Sequence, residues 1–119
     1  MTGKRAPEQT ELIDRIRALL ADERSVREVS MFGGRCFMVN DKIVVSAGKD
    51  GGLLVRVRTD EHDSLLSRPG AAQAEMGAGR SMGPGWITVA ATAIADEEQL
   101  SYWLDVGHEH NRAITRPRQ

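Results

Sequence analysis

The stretch MFGGRCFMVNDKIVVSA, residues 31–47, places two adjacent glycines, Gly33 and Gly34, between the bulky pair Met31-Phe32 and the chain's only cysteine, Cys36. The residues around the glycines read as one strand over 29–39. Glycine inside a strand marks a bulge, a bend or the close approach of another backbone. A competing reading makes the backbone N–H groups there an anion nest beside Arg35. Met31 and Phe32 read as core residues. Asn40-Asp41 then marks a turn, and KIVVSA (42–47) is the next strand.

A two-residue turn sets Val39 opposite Lys42, Met38 opposite Ile43 and Cys36 opposite Val45. Cys36, Met38, Ile43 and Val45 then share one uncharged face, the expected core side. A lone strand cysteine commonly serves as a small buried hydrophobe. The opposite face carries Arg35, Phe37, Val39, Lys42, Val44 and Ser46. In a two-layer domain it has no helix over it. Arg35, Phe37, Val39, Lys42 and Val44 are therefore the candidate interaction face. The alternative is that Arg and Lys stems cover it. A longer turn would change this register.

Working outward, Leu12, Ile13, Ile16, Leu19 and Leu20 recur at helical spacing and predict an amphipathic helix over 8–22. After a breaker-rich loop at 48–52, LLVRVR (53–58) alternates Leu53, Val55 and Val57 with Arg56 and Arg58. That pattern marks a sheet covered on one side. Thr59 is placed to cap a short helix at 60–66. A weak strand at 72–77, a turn-rich loop at 78–85 and a strand at 86–91 follow. Asp96 with Gln99 resembles a capping box opening a last helix over 97–113, weakened in its middle by Gly107. The expected order is α-β-β-β-α-β-β-α. This is a two-layer α+β fold with an antiparallel sheet and helices on one face. A single domain over 1–119, with its core at about 8–113, fits the 119-residue length.

Net charge is −1, which argues against a strongly electrostatic nucleic-acid binder. No apolar run reaches the roughly 18–20 residues of a membrane span. The N-terminus lacks a signal-peptide core, and one cysteine cannot form an internal disulfide. A cytoplasmic protein is expected. GAGRSMGPG (77–85) leads into a strand rather than a helix, which excludes a phosphate loop. His108 and His110 stand about 200° apart around a helix and cannot clamp one metal. His62, among acids, is expected to be solvated. No metal or cofactor motif is present, and no nucleophile elbow or kinase signature.

MFGG, LLVRV, GRSMGPGW and DEEQLSYWLD, in this order, cover most of residues 9–112. In this the chain resembles the TfoX/Sxy family N-terminal domain. The resemblance implies a secretion-chaperone-like α+β fold with the helix–strand order read above. It marks Met31, Phe32, Gly33, Gly34, Gly79, Arg80, Met82, Gly85 and Trp86 as family-motif positions. It brings no catalytic residue and no cofactor. Full-length members regulate bacterial DNA uptake together with a transcription activator and carry a second, C-terminal domain. A stand-alone version lacking that domain is expected here.

Three functions compete. The first is a non-catalytic interaction module, a homodimer or a binder of another protein, working through the open sheet face or an edge strand. The second is direct nucleic-acid binding through Arg56, Arg58, Arg80, Arg112, Arg116 and Arg118, which have no aromatic residues interleaved for base stacking. The third is a small-molecule or anion site, enzymatic or not, where the Gly33-Gly34-Arg35 and Arg80 loops would meet.

Overall fold

The computed structural model describes residues 7–23, 25–31, 34–75 and 79–115. It opens with helix α1, Pro7–Leu19, whose stripe of Leu12, Ile13 and Ile16 is buried, as is Leu20 just beyond it. The Gln9 amide, also buried, donates to the Ala47 carbonyl at 3.0 Å, tying the helix to the sheet.

The predicted strand over 29–39 is two strands, β1 (Val26–Met31) and β2 (Gly34–Val39). They pair antiparallel with Met31 opposite Gly34, so the chain reverses between them. Phe32 and Gly33 lie outside the described residues. Of the readings for the glycine pair, Gly34 bears out close approach. A Cβ there would stand 2.9 Å from both the Ala47 carbonyl oxygen and the Ser46 hydroxyl, inside normal van der Waals contact.

Strand β3 (Lys42–Ala47) follows a two-residue turn in which Asn40 and Asp41 have φ of 55° and 67°. Two successive positive φ values mark the hairpin turn that matches strand twist. Near the turn the register is the predicted one, Val39 opposite Lys42 and Met38 opposite Ile43. Beyond it the register shifts, and Phe37 faces Val45 while Cys36 faces Ser46. Val44 is the extra residue of a bulge, so Val44 and Val45 both turn inward and are fully buried.

Strands β4 (Leu53–Arg56), β5 (Ala71–Gln73) and β6 (Trp86–Val89) complete an all-antiparallel sheet in the order β1-β2-β3-β4-β6-β5. A 3-10 turn, Thr59–Glu61, leads into the four-residue α2, His62–Leu65. Thr59 caps neither; Arg58 is the N-cap of the 3-10 turn and Glu61 that of α2, neither with a side-chain capping bond. A second 3-10 turn, Ala91–Ile94, precedes α3, Glu97–Thr115. Asp96 caps α3, its Oδ1 accepting from the N–H groups of Glu98 (2.8 Å) and Gln99 (3.2 Å). The fold is the expected α+β class, with one more strand than predicted.

The helices lie on one side of the sheet. Ile16, Phe37, Val55, Ile87, Leu100 and Trp103 form the centre of the core between the layers. This corrects the predicted face assignment. Phe37, Val39 and Val44 were expected on the open face, yet they are at most 2% exposed and pack against the helices. Burying each such side chain is worth about 1.5–3 kcal/mol. That outweighs the charges brought to the same side, because Arg35 pairs with Glu28 at 3.0 Å and both stay partly exposed. Lys42 sits at the exposed hairpin end.

Candidate interaction face

The register defines the outer, helix-free face. It carries Val29 and Met31 from β1, Cys36 and Met38 from β2, and Ile43 and Ser46 from β3. Leu54 and Arg56 of β4 and Trp86 and Thr88 of β6 continue it. Among the described residues no helix packs over these side chains. Val29, Met31, Met38, Ile43, Leu54 and Trp86 are half-buried, shielded only by their neighbours. Cys36 is buried as expected, but on this outer side, with its Sγ 3.5 Å from the Ser46 hydroxyl.

Both cations of this face are engaged. The Arg56 guanidinium lies 4.7 Å from the centroid of the Trp86 ring, a contact worth about 0.5–1 kcal/mol at an exposed site. Arg27 pairs with Asp41 at 3.3 Å. The face is therefore apolar with its positive charge muted. Sequence reasoning missed Leu54, Arg56 and Trp86 as members. The alternation in β4 carried the signal: with Leu53, Val55 and Val57 inward, Leu54 and Arg56 must point outward.

The family-motif residues divide between two regions. Met31 lies on the outer face rather than in the core, and Gly34 is the close-approach residue beside β3. Gly79 and Arg80 are exposed, and Met82 is half-buried with its N–H donating to Ala74 at 2.9 Å. Gly85 is held by His62, whose Nδ1 accepts from the Gly85 N–H at 2.9 Å. A backbone N–H can only donate, so the ring proton sits on Nε2, which donates to Gln73 Oε1 at 2.8 Å. The Gln73 amide then donates to the Gly83 carbonyl at 3.0 Å. His62 was expected to be solvated; it is 4% exposed and latches the loop that delivers Trp86. Its spacing ahead of Leu65 and Leu66 was the available signal, masked by the acids around it.

The residues of the anion-site reading do not converge. Arg35 is engaged with Glu28 near one edge of the sheet. Arg80 lies in the loop after β5, four strand positions away, or roughly 19 Å at normal strand spacing. The Glu28 carboxyl is held below its ordinary range, first by the hydrogen bond from Arg17 and also by Arg35. That triad joins α1 to the β1–β2 edge.

The arginines of the nucleic-acid reading do not form a patch. Arg58 is bonded to Asp60 at 2.9 Å, Arg56 lies on Trp86, and Arg112 stands beside Glu109 and Asp105. Arg116 and Arg118 lie outside the described residues. Among the described residues no three His, Cys, Asp or Glu side chains gather closely enough to hold a metal ion. None of their helices is long and apolar enough to cross a membrane.

A six-stranded antiparallel sheet with helices on one side and a muted apolar surface on the other defines a two-layer α+β protein with an open sheet. The chain belongs to the TfoX N-terminal domain family, which matches it over residues 18–111, from the end of α1 through most of α3. No curated protein matches the chain.

Proposed function

We propose that the chain is a non-catalytic regulatory module that acts by protein–protein contact through the outer face of its sheet, with a second copy of itself as the partner. The observation that carries this reading is the contiguous set Val29, Met31, Met38, Ile43, Leu54 and Trp86 on a face no described helix covers. The regulatory part rests on what the resemblance to TfoX-type regulators implies.

Size and charge favour a second copy. Six strands of three to six residues give roughly 450 Å² of flat footprint per copy. A face-to-face pair thus covers about 900 Å² before side-chain relief is added. Side-chain relief carries it toward the lower end of specific interfaces, about 1,000 Å². The two cations on the face are already engaged, so two copies meet without unpaired like charges.

The test is light scattering across a concentration series, with Ile43→Glu and Leu54→Glu as variants. The wild type is expected to move from monomer to dimer. Each variant is expected to remain monomeric with an unchanged melting temperature, since both residues are already half in water. A wild type that stays monomeric at millimolar concentration would sink the homotypic reading.

A further inference from the structure

An open groove of about 770 Å³ runs between α2 and α3, on the helix side of the molecule. Its floor is apolar: Leu65 is buried, and Tyr102 and Val106 are half-buried. The Arg68 guanidinium, 3.7 Å from the Tyr102 ring centroid, braces that ring. One rim carries Glu61 and Ser64. The other carries Asp105, Glu109 and, at one end, Arg112, all exposed.

Several carboxylates of the fold have evident work. Glu28 holds Arg17 and Arg35, Asp60 holds Arg58, Asp41 holds Arg27, Glu97 meets Arg15 and Asp96 caps α3. Glu61, Asp105 and Glu109 make no close ion pair or hydrogen bond among the described residues, although Arg58, bonded to Asp60, attracts Glu61 and Glu109 from farther off. Asp105 and Glu109 are also four apart on α3, where like charges weaken a helix. Three carboxylates outside any close ion pair therefore border an apolar floor and outnumber the one cation, Arg112, that lines the groove with them, an arrangement that a cationic partner relieves further and that repels nucleic acid.

We propose that this groove docks an extended basic segment of a partner protein. Its arginine or lysine side chains lie between Glu61 and the Asp105–Glu109 rim, and an apolar side chain rests on Leu65, Tyr102 and Val106. The volume lies within the range of ordinary binding clefts, about 300–1,000 Å³. Arg112 sets polarity, since it disfavours a cation at its end of the groove. The surface is on the opposite layer from the outer sheet face, so this inference does not rest on the dimer reading and stands or falls separately.

The experiment is fluorescence anisotropy with a labelled hexapeptide of alternating arginine and leucine. Binding is expected at low salt and weakens as salt rises. It is expected to fall at least about tenfold in the Asp105→Asn, Glu109→Gln double variant. It is unchanged in a Glu11→Gln, Glu98→Gln control that removes the same charge elsewhere. Circular dichroism melting of both variants verifies that these exposed substitutions leave the fold intact. Four results would each overturn the proposal: no binding at low salt, an equal loss in the control, equal binding of a peptide with glutamine in place of arginine, or displacement by spermine at equal concentration. The last would assign the groove to small polycations.

Discussion

His110 faces inward from α3, nearly fully buried, and its Nε2 has no hydrogen-bond partner among the described residues. Burial, and then the charges of Arg56 and Arg58, hold its pKa below the ordinary 6.5. The ring is therefore neutral at neutral pH. In the unfolded chain it takes up a proton near pH 6.5, while in the folded protein it resists until lower pH. The unfolded state thus binds more protons in that window, and stability falls as the pH drops below about 6.5, levelling off once folded His110 itself protonates. His110→Leu is expected to flatten this part of the stability curve in urea titrations taken stepwise from neutral to mildly acid pH. It should change stability little at neutral pH, because it removes a buried nitrogen that has no hydrogen bond to any described residue. Parallel curves for the two proteins would show that the proton is taken up elsewhere. The residue type was legible in the sequence, and its burial was not. An expectation drawn from its spacing to His108 concerns a metal, not which neighbour would cover the ring.

The contact of α3 with β3 turns on Gly107. A Cβ there would stand 2.8 Å from both the Val44 carbonyl oxygen and its Cγ1. The glycine that weakens the helix by sequence is thus the place where the helix meets the bulged strand. The Asn111 side chain ties α3 to β2 one turn on, its Nδ2 donating to the Val39 carbonyl at 2.9 Å. Gly107→Ala improves helix propensity by about 1 kcal/mol, yet its Cβ must push against the Val44 backbone carbonyl as well as the Val44 side chain. It is expected to destabilise by about 1–3 kcal/mol net, read as a lower urea midpoint with an unchanged slope. A higher midpoint would mean that α3 slides freely over β3. Most elements were legible: the two long helices from their periodicity, the hairpin from Asn40-Asp41, β4 from its alternation. The bulge at Val44 was not. Nothing in KIVVSA distinguishes a regular strand from one with an extra residue, because every member suits a pleated surface equally well.

For the whole molecule, that single bulge and the placing of one arginine decide which side of the sheet is inside. A face containing Arg35 and Lys42 reads as outer, and one containing Cys36, Met38 and Ile43 reads as inner. Packing reverses this, since Phe37 fills the space beneath the helices and Arg35 reaches Glu28 at the margin. The two assignments separate cleanly by experiment. Phe37→Asp buries an unpaired carboxylate and removes a large core side chain, so it is expected to cost upward of about 3–5 kcal/mol and to unfold the chain. Met38→Asp, one residue away on the outer face, is expected to leave a cooperative melting transition near the wild-type temperature. The reverse result would return the open face to Phe37, Val39 and Val44 and remove the basis for the Ile43 and Leu54 variants.

The sequence by itself determined the α+β class, the positions of the main elements, the two-residue hairpin turn and the family. All of these follow from local periodicity, turn chemistry and motif order, which neighbouring residues express without help. Only the tertiary structure decided the split of the first strand, the inward face of the sheet, the burial of His62 and His110, and the acidic rim of the α2–α3 groove. Each depends on which distant surface a side chain meets. A register shift of one residue exchanges the two faces of a strand while leaving its local pattern unchanged.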